Sequence, residues 1–151
     1  MRLALFQPDI PQNLGGAIRL CACMGVALDV IRPAGFPLDD RDIARAAMDY
    51  GTLARVVLHD SWRRFQAGRR HDTPPSRIVL MTTRGADPLQ DFRFHPGDTI
   101  LMGRESAGVP EEVHQAADAR ITIPMADGAR SLNVVVAAGM ALWVAQRQLG
   151  G

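Results

Sequence analysis

One stretch of the chain decides the fold, residues 99–143, and it reads TILMGRESAGVPEEVHQAADARITIPMADGARSLNVVVAAGMALW. Two short apolar runs in it, at residues 99–102 and 121–125, each predict a strand that leads into a loop rich in glycine, serine and charge, and then into a helix. Open α/β sheets bind ligands where the carboxyl ends of strands meet such loops. The stretch therefore predicts a cofactor site between the loops at 103–108 and 123–133.

The rest of the chain predicts alternating strands and helices. Further strands are expected at residues 3–6, 28–31, 55–58 and 77–82. Asn13 and Ser61 are expected to cap the helices that follow them, and Gly25 is expected to close the first helix. Residues 83–96 are interpreted as mostly loop. This order favours one α/β domain over residues 1–151, with a mainly parallel sheet and helices on both faces.

The composition limits the class of protein. A net charge of +1 gives the surface no general attraction for nucleic acid. All 17 basic residues are arginines, which suit bidentate phosphate contacts, although codon bias is the simpler source of this usage. Cys21 and Cys23 are too close for a usual disulfide, so we expect both to be small buried residues of a cytoplasmic protein. The uncharged run at 131–146 is too short to span a bilayer comfortably and is interpreted as a buried helix or a subunit interface.

Some polar residues stand where the predicted helices and loops do not require them. Arg19 is the only charge between Asp9 and Asp29, on a largely apolar helix. It either forms a structural ion pair, extends along the surface to water, or is directed into a site. Gly103 lets a ligand approach the backbone closely, and Glu105 offers an acceptor for a hydrogen bond.

The second loop carries a similar set. Ser131 and Asn133 both stand at a predicted helix start, where a cap accounts for one of them but less readily for both. Arg130 either binds phosphate or is simply exposed. The N–H groups at this helix start also favour an anion.

Several common site motifs are absent from the sequence. No G-x-G-x-x-G follows the first strand, and there is no Walker loop, H-E-x-x-H pair or nucleophile elbow. The four histidines are scattered. Ordinary dinucleotide binding, metal catalysis and hydrolysis are therefore disfavoured.

Three ordered motifs resemble those of the SPOUT RNA 2′-O-ribose methyltransferases. They are Asn13 with Arg19, then LMGRESAGVP at 101–110, then ITIPM at 121–125 followed by RSLNV at 130–134. The resemblance covers nearly the whole chain and is strongest to the minimal subfamily that methylates the wobble nucleotide of tRNA, cytidine or modified uridine. It implies a trefoil knot formed by the two loops, S-adenosyl-L-methionine bound in that knot, and a homodimer with the active site at its interface.

The resemblance also implies roles for individual residues. Arg19, Asn13 and Asn133 take catalytic motif positions. The cofactor pocket would be lined, largely through backbone, by Met81, Gly103, Glu105, Ile123, Ser131 and Leu132. The implied reaction is in-line transfer of a sulfonium methyl to a ribose 2′-hydroxyl, and it needs no metal. A guanidinium is essentially always protonated, so Arg19 is interpreted as positioning the ribose and phosphate and stabilising the developing alkoxide.

Contact with RNA is the least visible property of the sequence. A basic cluster with interleaved aromatic residues is the candidate phosphate patch, although a solvated helix face explains it equally well: Arg63, Arg64, Arg69 and Arg70, with Trp62 and Phe65. Arg41, Arg45 and Arg130 are further candidates. Trp143 is interpreted first as interface packing and second as a base-stacking residue.

The third motif departs from the pattern of the wobble-acting enzymes. Those enzymes typically continue it as N-L-S-N, whereas Asn133 is followed here by three valines. The target nucleotide is therefore open at this point. The alternatives are methylation at another tRNA or rRNA site, or a non-catalytic RNA-binding protein of the same fold.

Overall fold

A parallel sheet forms the centre of the molecule. The computed structural model describes residues 1–73 and 75–150. Its seven strands are β1 (Arg2–Phe6), β2 (Ala27–Ile31), β3 (Val56–His59), β4 (Ile78–Met81), β5 (Asp87–Pro88), β6 (Thr99–Met102) and β7 (Ala119–Thr122). They lie in the order β3-β2-β1-β6-β4-β7-β5, and all six pairings in this described part of the chain are parallel. The predicted α/β fold with a parallel sheet is confirmed.

Helices cover both faces of this sheet, as predicted. They are α1 (Pro11–Met24), α2 (Asp40–Ala47), α3 (Trp62–Arg69), α4 (Glu111–Ala116) and α5 (Val134–Gln148). Because side chains alternate along a strand, β1 directs Leu3 and Leu5 towards α1 and α5, and Ala4 and Phe6 towards α3 and α4. None of the helices in the described residues is long and apolar enough to cross a membrane.

The predicted helix ends are partly right. Gly25 closes α1 in the left-handed conformation (φ 67°), and the Ser61 hydroxyl accepts a hydrogen bond from the Arg64 N–H at 3.2 Å. The prediction that Asn13 caps the first helix is wrong, since α1 already begins at Pro11. Proline suits the first helical position because an N–H group there would have no partner within the helix, so its absence costs nothing. Asn13 lies inside the helix, and its side chain is free for other contacts.

Two further details differ from the sequence predictions, and the prediction that residues 83–96 are mostly loop is confirmed with one addition. The seventh strand is Ala119–Thr122 and not residues 121–125, because its start pairs with β4 and the chain then turns away. The segment 83–96 contains the two-residue strand β5, whose proline sits at the sheet edge, where a missing N–H costs little. Cys23 is exposed, because it lies on the outer face of α1, whereas Cys21 is buried as expected.

A buried carboxylate joins the first three strands. Asp29, 3% exposed, accepts hydrogen bonds from Arg2 Nε (2.6 Å) and Nη2 (2.8 Å) and lies 2.7 Å from His59 Nε2. Burial raises the pKa of Asp29, but the hydrogen bonds from His59 and Arg2 outweigh burial and hold this pKa below its usual value. The ionised form of Asp29 therefore stabilises the folded state.

Replacing Asp29 with asparagine is expected to lower the free energy of unfolding at pH 7 by about 2–3 kcal/mol, because charged hydrogen bonds are lost. The folded pKa lies below the unfolded value of about 3.9, so this stabilisation is present above pH 4 and fades as the pH falls towards the folded pKa. Urea unfolding of both proteins at pH 7 and pH 3 measures it. Asp60→Asn, which removes an exposed partner of Arg32, is the control and should cost less than about 1 kcal/mol. A difference between Asp29→Asn and the parent that grows at pH 3 would contradict the assignment.

Candidate active site

A cavity of about 450 Å³ lies at the carboxyl ends of β4, β6 and β7. Its walls are the segments that follow these strands, together with the first turns of α1 and α5. The volume falls within the range of about 300–1,000 Å³ that is typical of small-molecule sites. All six residues predicted for a cofactor pocket line it: Met81, Gly103, Glu105, Ile123, Ser131 and Leu132.

The loop after β6 is closed on itself next to the cavity. The N–H groups of Arg104 and Gly108 each donate to the carbonyl of the other at 2.9 Å. A Cβ atom placed on Gly103 would come within 2.8 Å of the Cα and carbonyl carbon of Gly108. Gly108 itself has φ 64°, which favours glycine. Both glycines are therefore required by the shape of this cavity wall.

A chain of hydrogen bonds joins the three polar motif positions. Asn13 Nδ2 donates to Glu105 Oε1 at 3.1 Å, and Asn133 Nδ2 donates to Asn13 Oδ1 at 3.0 Å. Asn133 Oδ1 accepts from the N–H groups of Val135 (2.8 Å) and Val136 (3.3 Å) and so caps α5. Both ends of the Asn133 amide are used, which fixes its orientation. Of the two residues predicted at this helix start, Asn133 is the cap, and it also belongs to the hydrogen-bond chain beside the cavity.

Glu105 also contacts a second carboxyl group. The Asp9 N–H donates to Glu105 Oε2 at 3.2 Å, and the Ser106 hydroxyl donates to Asp9 Oδ2. Burial raises the pKa of Glu105, and the neighbouring Asp9 carboxylate raises it further. The contact with Glu105 and the bond from Ser106 lower the pKa of Asp9. Burial therefore favours the neutral form of Glu105, whereas the hydrogen bonds to Asp9 favour the ionised form of Asp9.

Arg19 lies outside this network. It is exposed on α1, six residues after Asn13, which is about 9 Å along the helix axis and on a different face. Its Nε donates to the Tyr50 hydroxyl at 3.2 Å, and its guanidinium carbon lies 5.1 Å from the centre of the Tyr50 ring. Arg19 is not among the residues that line the cavity of its own chain.

The predicted RNA contacts fall in different places. Arg130 lines the cavity. Arg63 and Arg64 are exposed at the start of α3, which follows the carboxyl end of β3. Arg70 is exposed directly after the last residue of α3. Arg69 is half-buried, donates to the Ser76 hydroxyl through Nε at 3.0 Å, and packs over the Phe65 ring at 5.3 Å.

Sequence reasoning missed several residues of this site. Thr82 and Thr83 line the cavity, and their position directly after a buried strand could have indicated them. Asp9 and Ser106 join the site only through contacts between segments 97 residues apart, and Tyr50 meets Arg19 across 31 residues. No local pattern signals such contacts.

Known proteins match nearly the whole chain. The SpoU rRNA Methylase family matches residues 1–143. A protein from Beijerinckia indica named tRNA (cytidine(34)-2'-O)-methyltransferase is 53% identical over 148 residues, covering 98% of this chain and 91% of the relative. A solved structure described as giving insights into the 2-OH methylation of C/U34 on tRNA has a TM-score of 0.88 and 41% identity, covering 99% of this chain and 96% of that one. A SpoU methyltransferase from Streptomyces viridochromogenes in complex with the cofactor AdoMet has a TM-score of 0.84 and 28% identity, covering 100% of this chain and 61% of that one.

Proposed function

Since the chain belongs to the SpoU rRNA methylase family, we propose that it transfers a methyl group from S-adenosyl-L-methionine to the 2′-hydroxyl of nucleotide 34 of tRNA. One observation of the structure supports this most directly. The cavity and the hydrogen-bond chain through Asn13, Glu105 and Asn133 bring one residue from each of the three sequence motifs together at the carboxyl ends of the strands. We propose that the protein acts on tRNA in the cytoplasm.

The residues of the cavity fit this cofactor. Apolar side chains on two strands and directly after a third suit the adenine ring: Leu80, Met102 and Ile123. Hydroxyl groups suit its ribose and amino-acid portions: Thr82, Thr83 and Ser131. Gly103 lets the loop after β6 close against Gly108 at the cavity wall, where a Cβ atom would come within 2.8 Å of the Gly108 backbone. When bound, the cofactor supplies a methyl group activated on a sulfonium.

Each polar residue has a distinct task in the proposed site. Glu105 orients Asn13 and Asn133 by accepting the first hydrogen bond of the chain. Arg19 positions the ribose and its phosphate and stabilises negative charge that develops on the 2′-oxygen. Arg130, at the rim of the cavity, contacts phosphate, and Arg63 and Arg64 extend this contact along α3.

The position of Arg19 supports a homodimer. Since Arg19 does not line its own cavity, we propose that it completes the site of a second copy of the chain. The protein surface next to Arg19 is unusually apolar for a surface exposed to water. Four large, exposed apolar residues form a stripe that begins just before α5 and continues along one face of it: Leu132, Val136, Met140 and Trp143. Trp143 is 61% exposed. Helix α5 packs on α1 where Leu20 approaches Gly139, so the stripe and Arg19 belong to neighbouring helices.

Placing a charge in this stripe is expected to break the dimer. Met140→Asp should convert the protein to a monomer and remove methyl transfer, because a desolvated, unpaired carboxylate is costly at an interface. Sedimentation velocity and a methyl-transfer assay measure the two effects. Val57→Asp, on the exposed face of the edge strand β3, is the matched control and should leave the mass unchanged. An active monomer of Met140→Asp would contradict the composite site.

The chain path is compatible with the proposed trefoil knot. Strand β4 lies between β6 and β7, so the later strands enter the sheet on both sides of an earlier one. The loops at 103–108 and 123–133 both border the same cavity. We propose that one of these loops passes through the other and that the cofactor is held between them.

One assay tests the proposed function. The protein is incubated with methyl-labelled S-adenosyl-L-methionine and total tRNA from a strain that lacks it, and the labelled nucleoside is mapped. Label on the 2′-oxygen of nucleotide 34 is expected. A tRNA made with 2′-deoxycytidine at that position lacks the acceptor and should remain unlabelled.

The other outcomes separate the alternatives. Label elsewhere in tRNA would keep the chemistry and move the target nucleotide, and so would label in rRNA in a parallel reaction when tRNA stays unlabelled. The three valines after Asn133, where the wobble-acting enzymes typically have L-S-N, would then be the sequence difference that goes with the changed target. Cofactor binding without transfer to any RNA would indicate a non-catalytic RNA-binding protein.

A further inference from the structure

We propose that Tyr50 is a positioning residue for Arg19, which holds the guanidinium so that its two terminal nitrogens are free for the ribose–phosphate backbone of the tRNA. This inference rests on the proposed role of Arg19 in methyl transfer. Two contacts define the pair. Arg19 Nε donates to the Tyr50 hydroxyl at 3.2 Å, and the guanidinium carbon lies 5.1 Å from the ring centre.

The contact with Tyr50 leaves most of the donors of Arg19 free. A guanidinium has five N–H donors in a rigid fork. Tyr50 uses only the one on Nε, which leaves the four donors of the two terminal nitrogens. Two of those four, one on each terminal nitrogen, point in parallel and form a bidentate side that matches phosphate oxygens. The tyrosine thus orients Arg19 without covering the side that recognises an anion.

The contact with Tyr50 also leaves the charge of Arg19 available. The salt bridges within residues 1–73 and 75–150 do not include Arg19. A carboxylate partner would also fix the side chain, but it would neutralise the cation and compete with phosphate for the same fork. A phenol ring and hydroxyl orient the guanidinium and leave its full charge available. Few other side chains combine these two properties.

The backbone fixes Tyr50 independently of Arg19. Helix α2 ends at Ala47, and Met48 turns the chain with φ 40°, a conformation that a residue with a side chain rarely adopts. The N–H groups of Leu53 (2.9 Å) and Ala54 (2.7 Å) both donate to the Tyr50 carbonyl. Strained backbone persists where the surrounding structure over-determines it, often beside functional sites. The turn therefore holds the backbone of Tyr50 in place, and the Tyr50 side chain contacts Arg19 from this position.

The first test separates the two contacts by kinetics on the full-length protein. Tyr50→Phe keeps the ring and removes the hydroxyl, and it should lower kcat/KM for tRNA about 3-fold; Tyr50→Ala removes both and should lower it about 10-fold. Cofactor affinity, measured by calorimetry, should not change in either. Leu53→Ala, an exposed residue on the same turn, is the matched control and should behave as the parent. Parental kinetics in both Tyr50 variants would overturn the proposal.

The second test distinguishes positioning from a merely structural role. The tRNA dissociation constant is measured at one salt concentration for the parent, Tyr50→Ala, Arg19→Ala and the double variant. Tyr50→Ala should weaken tRNA binding when Arg19 is present and have no effect when it is absent. An equal loss in both backgrounds would show a structural role and overturn the inference.

The two proposals fail in different ways. Full methyl transfer by Arg19→Ala would overturn the role of Arg19 in the proposed function, and this inference with it. An inactive Arg19→Ala together with parental Tyr50 variants would overturn only the inference about Tyr50.

Discussion

Replacing Arg19 with alanine is expected to lower kcat for methyl transfer by about 10²- to 10³-fold, the loss typical when one donor that stabilises developing negative charge is removed. Cofactor affinity should stay at the parental value, because Arg19 is proposed to contact the ribose and phosphate of the tRNA and not the cofactor. Single-turnover methylation of tRNA and calorimetric titration with S-adenosyl-L-methionine measure the two quantities separately.

The physical reason lies in what a guanidinium can do. Its pKa is too high for it to serve as a base, so its contribution is a fixed positive charge with a planar fork of donors. A ribose 2′-hydroxyl becomes a better nucleophile when its developing charge meets such a fork and its neighbouring phosphate is held in place. Arg19→Lys keeps the charge but loses the fork, so it should recover little of the activity.

Two comparisons keep this prediction testable. Arg93→Ala removes another exposed arginine, away from the cavity, and should leave kcat unchanged. Mixed dimers address the composite site. A dimer of one Arg19→Ala chain and one chain with a disabled cofactor pocket should regain activity in one of its two sites only if Arg19 serves the partner. Loss of cofactor affinity in Arg19→Ala would instead place this residue in contact with the cofactor and contradict its proposed role at the ribose.

The sequence predicted those parts of the fold that depend on local pattern. Gly25 ends α1 and Ser61 caps the start of α3, as predicted. Both effects depend only on one residue and its neighbours in sequence. The six residues predicted for the cofactor pocket converge because each lies at the end of a strand or in the segment after it, and parallel strands bring those positions to one side of the sheet. Strand ends alone thus predict the two loops that border the cavity, and the family resemblance names the individual residues.

Contacts across long stretches of chain could not be predicted in this way. Asn13 was expected to cap a helix because it is a good capping residue, but Pro11 starts the helix earlier and frees Asn13 for Glu105. The dual role of Asn133 depends on an Asn13 oxygen 120 residues away. Position along the chain carries no information about such partners, and only the folded arrangement of β1, β6 and α5 brings them together.

Replacing Gly103 with alanine is expected to weaken binding of S-adenosyl-L-methionine by about 5- to 150-fold, which corresponds to the cost of about 1–3 kcal/mol for forcing one extra methyl group into a packed site. The new Cβ would lie 2.8 Å from two backbone atoms of Gly108, whereas carbon atoms pack at about 3.5–4.0 Å. Backbone cannot rotate away as a side chain can. The loop must therefore open the paired 2.9 Å hydrogen bonds between Arg104 and Gly108, and the cavity wall moves with it.

Two other glycines separate this steric effect from general effects of the substitution. Gly68→Ala, on α3, has open space around the new atom and should bind the cofactor as the parent does. Gly108→Ala also has open space, but its φ of 64° strains any residue with a side chain, so it should lose affinity by a smaller factor than Gly103→Ala. Calorimetry gives the three affinities, and thermal unfolding without cofactor checks that each variant is folded. If Gly103→Ala bound as tightly as Gly68→Ala while remaining folded, the loop after β6 would not form a rigid wall of the cofactor cavity, and the requirement for glycine there would need another cause.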